Sequence, residues 1–245
     1  MKKHIPNFIT SLNLASGFIA SIFALTGDLV TASWLILAAM IFDFLDGFSA
    51  RLLRAYSDIG KELDSLADVV SFGVAPALII YKLIDISIAL HNPEMAAKSQ
   101  VIKALFLYFP VIMPVCAALR LAIFNIDETQ KKMFKGLPTP ANALAVISLV
   151  IGVHYTDVKI LDDFAGSVSA LILLTAVLSA LMLIKLPLLS LKTENLKFRG
   201  NEGRYILVIS VVIAFAFLQL KAAPLIIPLY LVASLISLAI KRSTA

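Results

Sequence analysis

From Phe8 to Thr26 the chain carries no charged side chain, and seven further apolar runs follow. Runs approaching about 20 apolar residues are long enough to cross a bilayer as helices. Lipid offers backbone N–H and C=O groups no partner, so the helix must satisfy them internally. Of 245 residues, 60% are hydrophobic and only 15% charged, with a mean hydropathy of +0.94. An ordinary soluble domain carries about 25% charged residues, so a water-soluble bundle is excluded. The pattern predicts an all-α, polytopic integral membrane protein of about eight transmembrane helices. They are expected at 8–27, 30–51, 60–84, 101–124, 141–156, 165–186, 205–221 and 225–240.

Punctuation between the runs supports these limits. Thr26-Gly27-Asp28 ends the first, and Leu52 to Ile59 links the second to the third. A polar stretch from Asp85 to Gln100 contains His91-Asn92-Pro93, a turn signal. Pro110 and Pro114 are expected to kink the fourth helix. Tyr155 to Asp163 reads as an acidic link, and Pro224 and Pro228 mark the junction of the last two helices. Met1-Lys2-Lys3-His4 ahead of an apolar run imitates a secretory signal. The run exceeds the 7–15 residues of such a core and Pro6-Asn7 interrupts its approach, so it is expected to stay as the first transmembrane helix.

Lys and Arg divide unevenly between the two sides of this topology, fifteen against five, with Arg120 inside a span. The positive-inside rule then puts both termini and the Leu52–Ile59 link on the cytoplasmic side of the cell (inner) membrane. That bias accounts for a pI near 9.3 without nucleic acid, and basic loops beside a bilayer attract anionic headgroups. Cys116 is the sole cysteine, so no intrachain disulfide forms. His4, His91 and His154 fall in separate loops and read as ordinary surface histidines.

Charge inside the apolar runs is where chemistry is expected. Asp43, Asp46, Asp64 and Asp68 lie at the ends of two otherwise apolar segments, and carboxylates beside hydrocarbon are costly unless paired or metal-bound. Asp43, Asp46, Gly47 and Ala50 fall at i, i+3, i+4 and i+7, one helical face. Gly60, Asp64, Asp68 and Ser71 share a face of the next helix. Turned inward, the two faces oppose each other and gather four carboxylates, whose mutual repulsion divalent cations relieve. Hard oxygen ligands without His or Cys favour Mg²⁺ or Mn²⁺, or Ca²⁺, over zinc. Two such ions about 3.5–4 Å apart can clamp attacking and leaving oxygens in phosphoryl-type transfer. Gly47 and Ala50 leave room for a phosphorylated group, and Arg51 offers a planar fork to phosphate oxygens. The plainer alternative is helix capping and interfacial pairing of the aspartates with Arg51, Arg54 and Lys61, and close helix packing at Gly47 and Ala50.

Written out, the stretch is Asp43-x2-Asp46-Gly47-x2-Ala50-Arg51-x8-Gly60-x3-Asp64-x3-Asp68, which resembles the complete signature of the CDP-alcohol phosphatidyltransferases. Pro6-Asn7-Phe8-Ile9-Thr10 with Asn13 and Gly17 resembles the N-terminal signature of the phosphatidylserine synthase branch. Arg120-Leu121-Ala122-Ile123-Phe124-Asn125 followed by Gly136-Leu137-Pro138-Thr139-Pro140-Ala141 resembles its second signature, with Ile123 where the branch usually has Arg. The resemblance implies a six-helix catalytic core at 1–186, a C-terminal basic loop and two-helix extension at 187–245, and a homodimer. It also implies Asp43, Asp46, Asp64 and Asp68 as metal ligands and Asp68 as general base. Gly47, Ala50, Arg51 and Gly60 would contact the CDP moiety.

The expected reaction is transfer of a phosphatidyl group from CDP-diacylglycerol to L-serine, releasing CMP. The stretch offers no Ser, Cys or His nucleophile with an evident partner base, which favours direct displacement. Arg120, with Asn125 and Lys135 as weaker candidates, would bind the acceptor carboxylate or a lipid phosphate. Glycerol-3-phosphate, inositol or inositol phosphate are alternative acceptors, and an ether lipid an alternative donor. A divalent-cation transporter could use the same carboxylates, but Trp34 to Ile41 and Val74 to Ile80 offer it no polar path.

Overall fold

The computed structural model describes residues 4–90, 99–126, 134–184, 186–188 and 202–243. Helix α1 (His4–Thr26) and helix α2 (Leu29–Leu52) form an antiparallel pair. Asp28 caps the second by accepting from the Thr31 N–H at 3.0 Å, a bond that holds its carboxyl below the usual range. Ser57 caps α3 (Asp58–Asp68) in the same way, accepting from Gly60 N–H at 3.1 Å. A π-helical turn (Val69–Val74) carries α3 without a break into α4 (Ala75–Leu90).

Pro76 gives a local reason for that turn. It has no N–H to offer the Phe72 carbonyl four residues earlier, and the ladder shifts to a wider spacing, Ala75 N–H donating to Val70. The Phe72 carbonyl is met instead by the Asn142 side-chain amide, at 3.1 Å. A buried carbonyl left alone would cost about 1–3 kcal/mol, so this one bond ties helix α7 (Thr139–Tyr155) to the turn beyond Asp68.

Helix α5 (Gln100–Tyr108), a 3₁₀ turn at Phe109–Val111 and α6 (Ile112–Ile126) form the next segment. The chain departs from α-geometry at Pro110. Pro114 sits in the first turn of α6, where a missing N–H breaks no helical bond. Two-residue strands β1 (Phe134–Lys135) and β2 (Pro187–Leu188) pair antiparallel. Gly136, at φ +82°, donates to Leu186, and Leu137 donates to Leu181. The Gly-Leu-Pro-Thr-Pro run thus fastens the start of α7 to the end of α9 (Val168–Leu183).

Three expectations about segment limits need correction. The third helix continues past Ile84 to Leu90, because Asp85 is neutralised in place by Lys82 at 2.8 Å and Ile86 and Ile88 continue the apolar run. The link between Tyr155 and Asp163 is partly helical: Lys159–Ala165 forms α8, and Leu161 packs on the core. Gly166 closes α8, and α9 leaves it at 82°, so the sixth apolar segment is bent rather than straight. Helix α10 (Glu202–Leu218), a 3₁₀ stretch (Gln219–Leu225) holding Pro224, and α11 (Ile226–Ser243) complete the order. His91-Asn92-Pro93, Lys131, Lys132 and 189–201 lie outside the described residues.

Among the described residues five segments qualify as spans by length and hydropathy, six with the bent pair, and α7 is a shorter apolar helix of 17 residues. The all-α, polytopic membrane architecture follows. Phe8, Phe18, Phe44 and Phe217 are each more than 60% exposed, apolar surface that lipid accepts and water does not. Inside, Ile36, Phe72, Ile79, Ile80, Met113 and Ile147 are fully buried.

Helix α1 packs against α2, α3 and the π turn. At its closest point Ser71 Oγ donates to the Asn13 carbonyl at 3.0 Å, and a Cβ on Gly17 would lie 2.6 Å from Ser71 Cα. In an isolated helix Gly→Ala gains about 1 kcal/mol. Here the methyl meets backbone, and overpacking typically costs about 1–3 kcal/mol. Gly17→Ala should therefore lower the thermal midpoint of the detergent-solubilised protein; an unchanged or raised midpoint would refute this contact.

Candidate active site

The ends of α2 and α3 face each other across the short Leu53–Ser57 link, as the two helical faces require. One carboxylate oxygen each from Asp43, Asp64 and Asp68 lies within 4.8 Å of the others. Asp68 is only 8% exposed and lies within electrostatic reach of Asp43, Asp64 and Asp46. Asp46 is equally buried, but it sits one helical step round from Asp43 and lines the adjoining pocket instead of joining the trio.

That pocket holds about 230 Å³. Asp46, Gly47, Ala50 and Arg51 line it from α2, and Gly60, Lys61 and Asp64 from α3. Pro6, Asn7 and Thr10 close it from α1, and Tyr56 from the link. Nothing lies within 4 Å of where a Gly47 Cβ would be, so its smallness serves open space and not helix packing. At Gly60 a Cβ would come 2.9 Å from Asn7 Oδ1, so that glycine lets α1 approach. Arg51 is exposed at the pocket rim.

The donor set can hold a metal ion. Oxygen ligands alone converge there, and one buried oxygen each of Asp46 and Asp68 has no hydrogen-bond partner. Buried, unpartnered carboxylate oxygens are costly, and a hard cation is the ligand they fit.

Arg120 on α6 is 8% exposed, its Nε without a hydrogen-bond partner, and the Asp68 carboxylate is its neighbouring charge. Asn125 ties α6 to α3: its amide donates to Ser65 Oγ at 2.8 Å and its carbonyl accepts from Lys61 Nζ at 3.1 Å. Lys135 lies on β1, with its side chain outside the described residues. Ile123 is 46% exposed. The sequence pattern marked Asn7, Thr10 and Asn13 without giving them a chemical role. Asn7 and Thr10 line the pocket, Thr10 in hydrogen-bond contact with the Asp46 carboxylate, and Asn13 is fully buried with its side chain beside the Asp68 carboxylate. Tyr56 carried no signal in the sequence at all.

The sequence model of the CDP-alcohol phosphatidyltransferases matches residues 3–191. The chain belongs to that family. Its relatives include a CDP-diacylglycerol–serine O-phosphatidyltransferase of Mycobacterium leprae, 40% identical over 60% of this chain and 46% of the relative. Another of the same name, from Bacillus subtilis, is 34% identical over 60% of this chain and 75% of the relative. An archaetidylserine synthase of Methanothermobacter thermautotrophicus is 34% identical over 63% of this chain and 61% of the relative. The chain thus spans about half the length of several curated relatives that it matches.

Open space at Gly47 separates a binding role from a packing one. Gly47→Ala should hold or raise the thermal midpoint, since helix propensity improves by up to about 1 kcal/mol. Gly47→Leu should keep the fold but weaken binding of a CDP-alcohol about tenfold or more, as read by titration calorimetry. A drop in midpoint for Gly47→Ala would restore the packing explanation.

Proposed function

We propose that this chain transfers a phosphatidyl group from CDP-diacylglycerol to the hydroxyl of L-serine, forming phosphatidylserine and CMP. The observation that carries the reading is the convergence of the Asp43, Asp64 and Asp68 carboxylates at one end of a pocket lined by Gly47, Ala50 and Gly60. Relatives that differ in the lipid they are named for, diacylglycerol or archaeol-type, share serine in their names. That common element favours serine over glycerol-3-phosphate or inositol as the acceptor.

In this reading the cytidine diphosphate enters between α1, α2 and α3. Gly47, Ala50 and Gly60 admit it, and Arg51 pairs with its phosphate oxygens. Asp43, Asp46, Asp64 and Asp68 would hold two divalent cations, Mg²⁺ or Mn²⁺, whose chemistry is to neutralise charge on the pyrophosphate as the bond to CMP breaks. Asp68 accepts the proton of the serine hydroxyl as that oxygen attacks the phosphorus carrying the diacylglycerol. The serine O–P bond forms, the P–O bond to CMP breaks, and the proton rests on the Asp68 carboxylate. Arg120, beside Asp68, receives the acceptor's carboxylate, with Asn125 and Lys135 as subsidiary candidates.

The catalytic unit would comprise 1–186, with 187–245 as an extension of the same membrane domain. The site would open to the cytoplasmic face of the cell membrane, in a homodimer. A cation transporter is disfavoured because fully buried Ile36, Ile79 and Ile80 follow the carboxylates into the bilayer, where a transport path needs polar lining.

The test is CMP release by purified protein given CDP-diacylglycerol and Mg²⁺ or Mn²⁺, with serine, glycerol-3-phosphate and inositol in parallel. Release should require serine and a divalent cation. Asp68→Asn should lower the rate about 10²–10⁴-fold, the usual worth of a general base. Release with a different acceptor would overturn the serine assignment, and none with any acceptor would overturn the reaction class.

A further inference from the structure

Between Arg51 and Gly60 the family signature leaves its residues unspecified, and Tyr56 is one of them. The end of α2 is built to display it. The Arg54 N–H donates to the Arg51 carbonyl at 3.2 Å, and the Ala55 N–H to the Ala50 carbonyl at 2.9 Å. Arg54 itself takes φ +49°, a left-handed value uncommon for a residue with a Cβ, and the chain reverses there. Ala55 is then buried, 4% exposed, and Ser57 is held as the cap of α3. Between these two fixed residues Tyr56 stands 67% exposed on the wall of the pocket.

The pocket has a direction. Asp46 and Asp64 line one end of it, and Ala55, Tyr56 and Ser57 come from the link at the other. From Ser57 to Asp64 the helix rises about 10 Å. A diphosphate drawn to the carboxylates therefore leaves its nucleoside extended toward the link. A nucleobase is flat, and its face is covered by an aromatic ring or a guanidinium plane. Tyr56 is the one aromatic side chain among the described residues that line the pocket. Arg51 is assigned to phosphate, and Lys61 Nζ donates to the Asn125 carbonyl. We propose that Tyr56 is the base-binding residue: its ring stacks on the cytosine of the CDP-alcohol. The inference rests on the proposed use of CDP-diacylglycerol and adds a nucleotide contact from outside the family signature.

The experiment titrates the full chain in detergent, with Mg²⁺ present, against CDP and against ribose 5-diphosphate, the same molecule without its base. By calorimetry the wild type should bind CDP about tenfold or more tightly than the base-free ligand. Tyr56→Leu keeps an apolar side chain but removes the ring. It should weaken CDP about tenfold and leave ribose 5-diphosphate within about twofold. Tyr56→Phe should hold CDP within about twofold, because the stack uses the ring and not the hydroxyl. Tyr56→Trp made together with Trp34→Phe leaves one tryptophan in the chain. Its emission should be quenched by CDP and not by ribose 5-diphosphate.

A Tyr56→Leu protein that loses both ligands alike, or neither, overturns the proposal. The second result is what a tyrosine lying in the headgroup layer of the membrane would give. Equal wild-type affinity for the two ligands shows that the base is not held, and overturns it too. Should Tyr56→Leu fail to fold, the tryptophan decides, and emission unmoved by CDP sinks the stack. A wild type that binds neither ligand brings down the proposed use of CDP-diacylglycerol and this inference with it. A wild type that prefers CDP beside an indifferent Tyr56→Leu brings down this inference alone.

Discussion

Repulsion among the carboxylates at the ends of α2 and α3 is the constraint to which the rest of the structure answers. Two unit charges 4.8 Å apart repel by roughly 3–4 kcal/mol at an effective dielectric of about 20. A domain's whole stability is about 5–15 kcal/mol, so three such charges in mutual contact would consume much of it. A bound cation removes the repulsion, but the helices must still be held face to face while the site is empty. That holding force has to come from elsewhere in the fold.

It comes from α1 and the π turn. The Gly17–Ser71 approach brings α1 against the segment just beyond Asp68, and the Ser71 bond to the Asn13 carbonyl fixes its register. On the opposite side Asn142 meets the Phe72 carbonyl that Pro76 cannot. Asn125 and Lys61 tie the end of α6 to α3. Each bond contributes only about 0.5–1.5 kcal/mol net. Together they surround α3 with anchors on three helices, at a place where apolar packing alone would leave the helix free to slide.

Much of this was legible from the sequence, for identifiable reasons. Apolar runs separated by Gly, Pro and charge gave the helix order, and the i, i+3, i+4 spacing placed carboxylates on faces that do oppose each other. Spacing could not say which of them meet. Asp43 and Asp46 are three residues apart, about 60° round the helix from each other, and that offset puts Asp43 with Asp64 and Asp68 and leaves Asp46 on the pocket wall. The 82° bend between α8 and α9 was hidden because Phe164-Ala165-Gly166-Ser167 reads equally well as helix interior or as a stop followed by a fresh cap.

The hydroxyls around the site also bear on how the proposed transfer can run. Ser49 donates to the Asp46 carbonyl, Ser65 to that of Lys61, and Ser71 to that of Asn13. Thr10 donates to the Pro6 carbonyl, and Ser57 is the cap of α3. Each is engaged with backbone and none is paired with a histidine, though Thr10 also lies in hydrogen-bond contact with the Asp46 carboxylate. Cys116 is buried in α6, and His154 stacks edge-on against Tyr155 at the C-terminal end of α7, well away from the aspartates in the chain. A covalent phosphatidyl-enzyme needs an activated nucleophile; of these side chains only Thr10 has a carboxylate beside it, and its proton is given to the Pro6 carbonyl. In the proposed transfer the acceptor's own hydroxyl would be the group that reaches phosphorus, and Asp68, the most enclosed carboxylate of the trio, would take its proton.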